Sequence, residues 1–172
     1  AADATELFED ARATVAGFVR AAPEQLVWTS GATAGINLVA YGIGNATAGR
    51  GAPASARLAL GPGDELVVTE SEHHANLIPW QELAARTGAV LRHIPVRDDG
   101  TIDMDAGASV VGERTRVVAF PHVSNVLGIV NPVADLAALA QSVGALTVLD
   151  ACQSAPHMSL DLPALGVDIA VF

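Results

Sequence analysis

Residues 116–154 read RVVAFPHVSNVLGIVNPVADLAALAQSVGALTVLDACQS. Two apolar runs, Arg116 to Val123 and Ala145 to Leu149, flank a segment of different period. In that segment Val133, Leu136, Ala137 and Ala140 recur at helical spacing, Asn131 stands as the N-cap, Pro132 as the first helical residue, and Gly144 as the stop. Both runs are apolar without alternation, as expected for strands covered on both faces. Strand, helix of about a dozen residues and strand make a right-handed crossover between parallel neighbours.

The same rhythm extends outward. Leu66 to Thr69 reads as a strand, Ala75 to Thr87 as a helix closed by Gly88, and Val90 to Val96 as a strand before the turn Asp98-Asp99-Gly100. Met104 to Val111 reads as a helix that Gly107 weakens by about 1 kcal/mol relative to alanine. Val167 to Phe172 is a further strand. Toward the N-terminus, Thr5 to Ala21 carries Leu7, Phe8, Ala11, Val15, Phe18 and Val19 at helical spacing. Gln25 to Ser30 reads as a short strand turning at Gly31, and Thr33 to Ile43 as a helix. Gly44 to Gly63, with Leu58 and Leu60 as its apolar anchors, reads as an inserted surface loop ending in a Pro-Gly turn. The fold class expected is α/β, a three-layer sandwich around a mostly parallel central sheet.

The 172 residues suffice for one domain. Apolar residues are 51% and charged residues 16%, which excludes a disordered, solvating chain. A net charge of −10 argues against a nucleic-acid or anionic membrane surface. The single cysteine excludes an intrachain disulfide and fits a reducing compartment. No run of about 18 uncharged apolar residues is present and no signal segment opens the chain; a soluble, cytoplasmic protein is expected. The chain lacks an initial Met, all nine basic residues are arginine, and it stops within an apolar run at Phe172. A piece of a longer protein is expected.

Ligands of open parallel sheets bind beyond the carboxyl ends of the strands. That rule selects Thr29 to Thr33, Glu70 to Asn76, His122 to Asn125 and Asp150 to Ser154. Gly31-Ala32-Thr33 opening a helix is either an anion cradle or a plain glycine turn with a threonine cap. Asp150 at the end of an apolar strand either caps the next segment or meets a cationic ring nitrogen or a metal. His73 and His74, with His122, His157 and Cys152, lack the spacing of a metal site, and stacking or proton transfer suits a histidine here better. Cys152 reads as a small apolar residue beside the site. No Gly-x-Ser-x-Gly elbow supports a Ser-His-Asp hydrolase.

Four segments carry a resemblance: Thr29-Ser30-Gly31-Ala32-Thr33-Ala34-Gly35-Ile36-Asn37-Leu38-Val39, Glu72-His73-His74-Ala75-Asn76-Leu77-Ile78-Pro79-Trp80, His122-Val123-Ser124-Asn125-Val126-Leu127-Gly128 and Leu149-Asp150-Ala151-Cys152-Gln153-Ser154-Ala155-Pro156-His157. In this order they resemble the large domain of the fold-type I pyridoxal-phosphate enzymes of aminotransferase class V, and most closely the SufS-like cysteine desulfurases. The resemblance runs from about Glu24 to Phe172. It implies pyridoxal 5'-phosphate as cofactor, with Ala32 and Thr33 at its phosphate and His73 stacked on its ring and moving protons. Asp150 would bond the pyridine nitrogen, Gln153 reach the phenolic oxygen, and Asn125 lie on the cofactor and substrate side.

It further implies a cytoplasmic homodimer, a transferase that takes sulfur from L-cysteine, leaves L-alanine and passes an enzyme persulfide toward iron–sulfur cluster assembly through a sulfur-acceptor protein. Residues 1–172 would then be a partial large domain, lacking its end and the small C-terminal domain. The family's Schiff-base lysine, in a Ser-Gly-His-Lys run expected just past Phe172, and its persulfide-forming cysteine are not in the sequence, and Cys152 does not match the latter. Ala32 stands where many members have threonine, and the Gly44 to Gly63 stretch is longer than expected. The chain alone is therefore expected to be inactive. Selenocysteine lyase, or another class V aminotransferase or epimerase, shares the fold; a non-catalytic phosphate-binding or dimerisation domain is the alternative of another kind.

Overall fold

The computed structural model describes residues 2–172; of the expected domain span, Ala1 lies outside the described residues. Five strands form one sheet: β1 (Glu65–Thr69), β2 (Val90–Ile94), β3 (Thr115–Pro121), β4 (Leu146–Asp150) and β5 (Ile169–Val171), in the order β2-β1-β3-β4-β5. Every neighbouring pair is parallel. Among the described residues six α-helices accompany them: α1 (Ala2–Phe18), α2 (Ala32–Thr47), α3 (Ile78–Thr87), α4 (Met104–Val110), α5 (Val133–Ser142) and α6 (Leu162–Leu165).

Alternate residues of each strand enter opposite cores, because successive side chains of a strand point to opposite faces. Leu66, Val68, Val117, Ala119 and Val148 pack with Ile36, Ala40 and Ile43 of α2 and Trp80 and Leu83 of α3. Val67, Val118, Phe120 and Leu149 pack with Val133, Leu136 and Ala140 of α5 and with Val19 just past α1. The three-layer α/β sandwich expected from the sequence is what forms. Burying an aliphatic side chain of this size is worth about 1.5–3 kcal/mol, and both cores draw on the central strands β1, β3 and β4.

Local departures have local reasons. The expected strand Gln25 to Ser30 is not one: Pro23–Gln25 is a 3-10 turn, and residues 26–30 have no strand partner among the described residues. The Leu26 carbonyl instead accepts from the Arg12 guanidinium, and Trp28 leans on Phe8 with ring centroids 6.1 Å apart. The loop expected from Gly44 begins later, since α2 runs on to Thr47, and Pro53–Leu58 is a 3-10 segment. Thr47 Oγ1 accepts from the Leu60 N–H at 2.9 Å, tying that segment back onto α2. Asn131 does not cap α5 with its side chain: its Nδ2 donates to the Pro121 carbonyl at 2.8 Å, and the helix starts at Val133. Asp103 caps α4 instead, accepting from Asp105 N and Ala106 N at 3.1 Å each. Gly107 within α4 is buried, and a Cβ there would make ordinary contact with Ile94 at 3.4 Å, so the packing against β2 does not itself demand the glycine.

Candidate functional site at the carboxyl edge of the sheet

The carboxyl ends of β1, β3, β4 and β5 lie side by side. Pro121 pairs with Asp150 and Asp150 with Val171 in register. Just past the strands, the His122 N–H donates to the Asp150 carbonyl at 2.8 Å, and the Ala151 N–H to that of Val171 at 2.8 Å. Onto this edge comes the start of α2: a Cβ at Gly35 would meet Val171 Cγ1 at 3.1 Å and Thr29 Oγ1 at 3.7 Å. A side chain at position 35 would require Val171 to give way by a few tenths of an ångström.

The first turn of α2 is built to leave donors open. Gly31 is its N-cap with φ 147° and ψ 173°, a conformation that an L side chain resists, and no side chain caps the helix. Thr29 Oγ1 donates to the Gly31 carbonyl at 2.9 Å, holding the turn. Ala32 and Thr33 follow, with the free N–H groups and positive dipole end that favour an anion.

Asp150 closes β4 with only 8% of its surface exposed. Its Oδ1 accepts from the Cys152 N–H at 3.0 Å. Among the described residues no arginine or histidine forms an ion pair with it. A buried acid at a strand end without a cationic neighbour is a group that could pair with a positively charged ligand. Gln153 is exposed on the turn after Asp150, and Asn125 is exposed on the loop after β3.

His73 is exposed at the start of the 3-10 turn His74–Asn76. Its Nδ1 accepts from the Ala75 N–H at 3.1 Å, so a neutral ring carries its proton on Nε2. Behind it, the Glu72 carboxyl is drawn inward: Oε1 accepts from Thr69 Oγ1 at 2.7 Å and Thr69 N at 3.3 Å, and Oε2 from Asn76 Nδ2 at 2.8 Å. Burial pushes the Glu72 carboxyl up to about 8 against these hydrogen bonds, and the charge of Asp150 adds a little to the rise. Burial likewise lowers His122, whose Nδ1 is buried with no hydrogen-bond partner among the described residues. The Cys152 thiol is pushed up to about 12 by burial and by Asp150.

A groove of about 850 Å³ runs along α2 and α3, and Thr33 and His73 both line it. Ala32, Asn125, Asp150 and Gln153 lie outside it. The structure thus gathers Asp150, the Gly31 turn and the His73 loop at one edge, leaves Asn125 and Gln153 on exposed turns of that edge, and sets none of the six on the opposite side. Glu72 and Thr69 hold no role in the expected site; the spacing Thr69, Glu72, Asn76, Trp80 is the signal that carries them.

The model of the family described as aminotransferase class-V matches residues 1–172. The chain belongs to the aminotransferase class-V family. It is 52% identical over 174 residues to a protein named probable cysteine desulfurase 2 from Mycobacterium leprae, covering 99% of this chain and 38% of that one. Its fold matches the crystal structure of the cysteine desulfurase CsdA (S-sulfonic acid) from Escherichia coli with a TM-score of 0.85 and 34% identity, over 96% of this chain and 39% of that one. A variant of C-DES with glycine covalently linked to its PLP cofactor matches at a TM-score of 0.81 and 25% identity, over 98% of this chain and 41% of that one. The class-V chain described here spans 38–39% of the length of the curated relatives it matches. No helix among the described residues is long and apolar enough to cross a membrane.

Proposed function

We propose that this chain is the cofactor-holding part of the large domain of a pyridoxal-phosphate-dependent cysteine desulfurase. The whole protein, a cytoplasmic homodimer, would take sulfur from L-cysteine as an enzyme persulfide, leave L-alanine and supply a sulfur-acceptor protein for iron–sulfur cluster assembly. The observation that carries the reading is Asp150: a buried acid with a backbone donor and, among the described residues, no cation paired with it, on the same sheet edge as an uncapped helix start and a histidine loop. The similarity to proteins named cysteine desulfurases supports it.

The residues present fit the cofactor by their donor and acceptor chemistry. A phosphate suits the open N–H groups of Ala32 and Thr33 and the Thr33 hydroxyl. A protonated pyridine nitrogen suits Asp150, which would hold that proton in place. The amide of Gln153 can donate to a phenolic oxygen, and the amide of Asn125 can contact cofactor and substrate. His73, with its Nδ1 held by Ala75 N, presents Nε2 for stacking contact and proton movement. When bound, the cofactor supplies the electron sink for a negative charge developing at the substrate α-carbon. The sequence contains no lysine, so covalent attachment of the cofactor is not provided by these residues.

The test is to express the full-length protein, load it with pyridoxal phosphate and incubate it with L-cysteine. Alanine and a protein persulfide formed in equal amounts support the reading; turnover of L-selenocysteine or another amino acid alone would assign a different class V activity. Absence of any visible cofactor band and any turnover would refute it.

A further inference from the structure

The His73 loop is closed from beneath by a hydrogen-bonded chain whose two ends can only donate. At one end, the Trp80 indole N–H, fully buried in α3, donates to Asn76 Oδ1 at 3.1 Å. The indole has no acceptor, so it fixes the Asn76 amide with Nδ2 turned toward Glu72 Oε2, at 2.8 Å. At the other end the Thr69 backbone N–H, also donor only, faces Glu72 Oε1 at 3.3 Å beside the Thr69 hydroxyl at 2.7 Å. Residue 72 must therefore accept at both of its oxygens. A glutamate meets that demand with or without its proton. When protonated on Oε1 it donates to Thr69 Oγ1, which has Ser71 Oγ at 3.1 Å to receive the displaced hydroxyl hydrogen. A glutamine cannot meet it in either orientation, because one end always sets two donors face to face.

We propose that Glu72 is the positioning residue of the His73 loop: its carboxyl group ties the last residue of β1 to Asn76 ahead of α3 and so fixes where the His73 imidazole lies at the sheet edge. The consequence for catalysis rests on the role given to His73 above. The three bonds span Thr69 to Asn76, and inside that span the Asn76 N–H donates to the His73 carbonyl at 2.8 Å while Ala75 N holds Nδ1. Loss of the clamp frees the turn that presents the ring.

The polarity of the chain offers a rescue. In the double variant E72Q/N76D the carboxylate moves to position 76, where it accepts from Trp80 and from the new glutamine amide, and the glutamine oxygen accepts from Thr69. Every bond is restored with the charge shifted along the chain. Two readouts are taken on the full-length protein: kcat for L-cysteine, and long-range proton–nitrogen spectra of the apoprotein labelled with 15N-histidine. E72Q is expected to lower kcat by about 10- to 100-fold, as a small misplacement of a reacting group does. It should also convert the His73 spectrum from the Nε2–H tautomer to a mixture. E72Q/N76D is expected to restore the spectrum and to recover kcat to within about threefold, since contacting sites couple strongly. Should E72Q fail to fold, T69V removes one of the three bonds and is expected to shift the same signals by a smaller amount. An unchanged His73 spectrum in E72Q or T69V, or no recovery in the folded double variant, overturns the proposal. Should the wild-type protein not turn over L-cysteine, the desulfurase reading fails while the histidine spectra still decide this one.

Discussion

The Cys152 backbone N–H donates to Oδ1 of Asp150 at 3.0 Å, two residues past it in sequence and at the end of the sheet. That bond holds one carboxyl oxygen of a residue only 8% exposed, and under the reading proposed above the carboxyl group would meet the ring nitrogen of the cofactor. Replacing Asp150 by Asn in the full-length protein removes the charge and keeps the shape. A hydrogen bond to a charged group contributes about 1.5–3 kcal/mol, so apoenzyme titrated with pyridoxal phosphate is expected to bind about 10- to 150-fold more weakly. Equal affinity for both proteins would take Asp150 out of the site.

Burial, helped by the same neighbour, silences Cys152. Its thiol is pushed up to about 12 by burial and by Asp150, and the thiolate is the nucleophilic form. Alkylation of Cys152 by iodoacetamide at pH 8, followed by mass spectrometry of the full-length protein, is expected to be at least tenfold slower than that of a free thiol. Cys152→Ser should leave alanine formation from L-cysteine within about twofold, as expected of a replacement away from reacting atoms. Rapid labelling at neutral pH would contradict the electrostatic picture.

Glu72 gives stability a pH dependence of defined sign. Its carboxyl stands at about 8 in the folded chain against 4.5 as the ordinary value, so the folded state binds the proton more tightly than the unfolded one. The contribution is complete below pH 4.5 and is lost as pH rises through about 8, by up to about 1.4 kcal/mol per pH unit in that window. The melting temperature of the full-length protein should fall more from pH 5 to pH 8.5 than that of E72Q, which does not titrate. Parallel curves would show that Glu72 is already ionised at pH 5.

Two glycines at the start of α2 test the packing of the edge. Gly31 has φ 147°, and Gly35 lets Val171 approach to 3.1 Å of where a Cβ would sit. Gly31→Ala is expected to cost about 1–3 kcal/mol by backbone strain. Gly35→Val would push the helix from β5 and is expected to lower cofactor affinity more than Gly42→Ala, a substitution into open space on the same helix. Equal behaviour of the three would mean that the helix start does not touch the site.

The sheet was legible because burial on both faces writes itself as unbroken apolar runs: β1, β3 and β4 stand within a residue or two of where Leu66, Arg116 and Ala145 begin their runs. The strand expected at Gln25 to Ser30 failed for a complementary reason, since apolar residues such as Val27 and Trp28 become a strand only with a partner backbone beside them, and among the described residues they have none. Asn131 misled by one position because a side chain able to cap a helix found a better acceptor in the Pro121 carbonyl. At the candidate site, Asp150 and His73 stood out as polar residues past strand ends, and Gly31 as the glycine opening a helix, although the strand expected before it does not form. Glu72 did not, because its meaning depends on which of its neighbours can only donate, and that emerges from three-dimensional contacts with Thr69, Asn76 and Trp80.

The most direct measurement of the central claim uses pyridoxal phosphate labelled with 15N in its ring, bound to the full-length protein, with the nitrogen shift recorded for the native protein and for D150N. A protonated ring nitrogen in the native protein that loses its proton in D150N is the predicted result. A deprotonated nitrogen in both, or a protonated one indifferent to the substitution, would contradict the placing of Asp150, His73 and the Gly31 turn around one vitamin B6 ring.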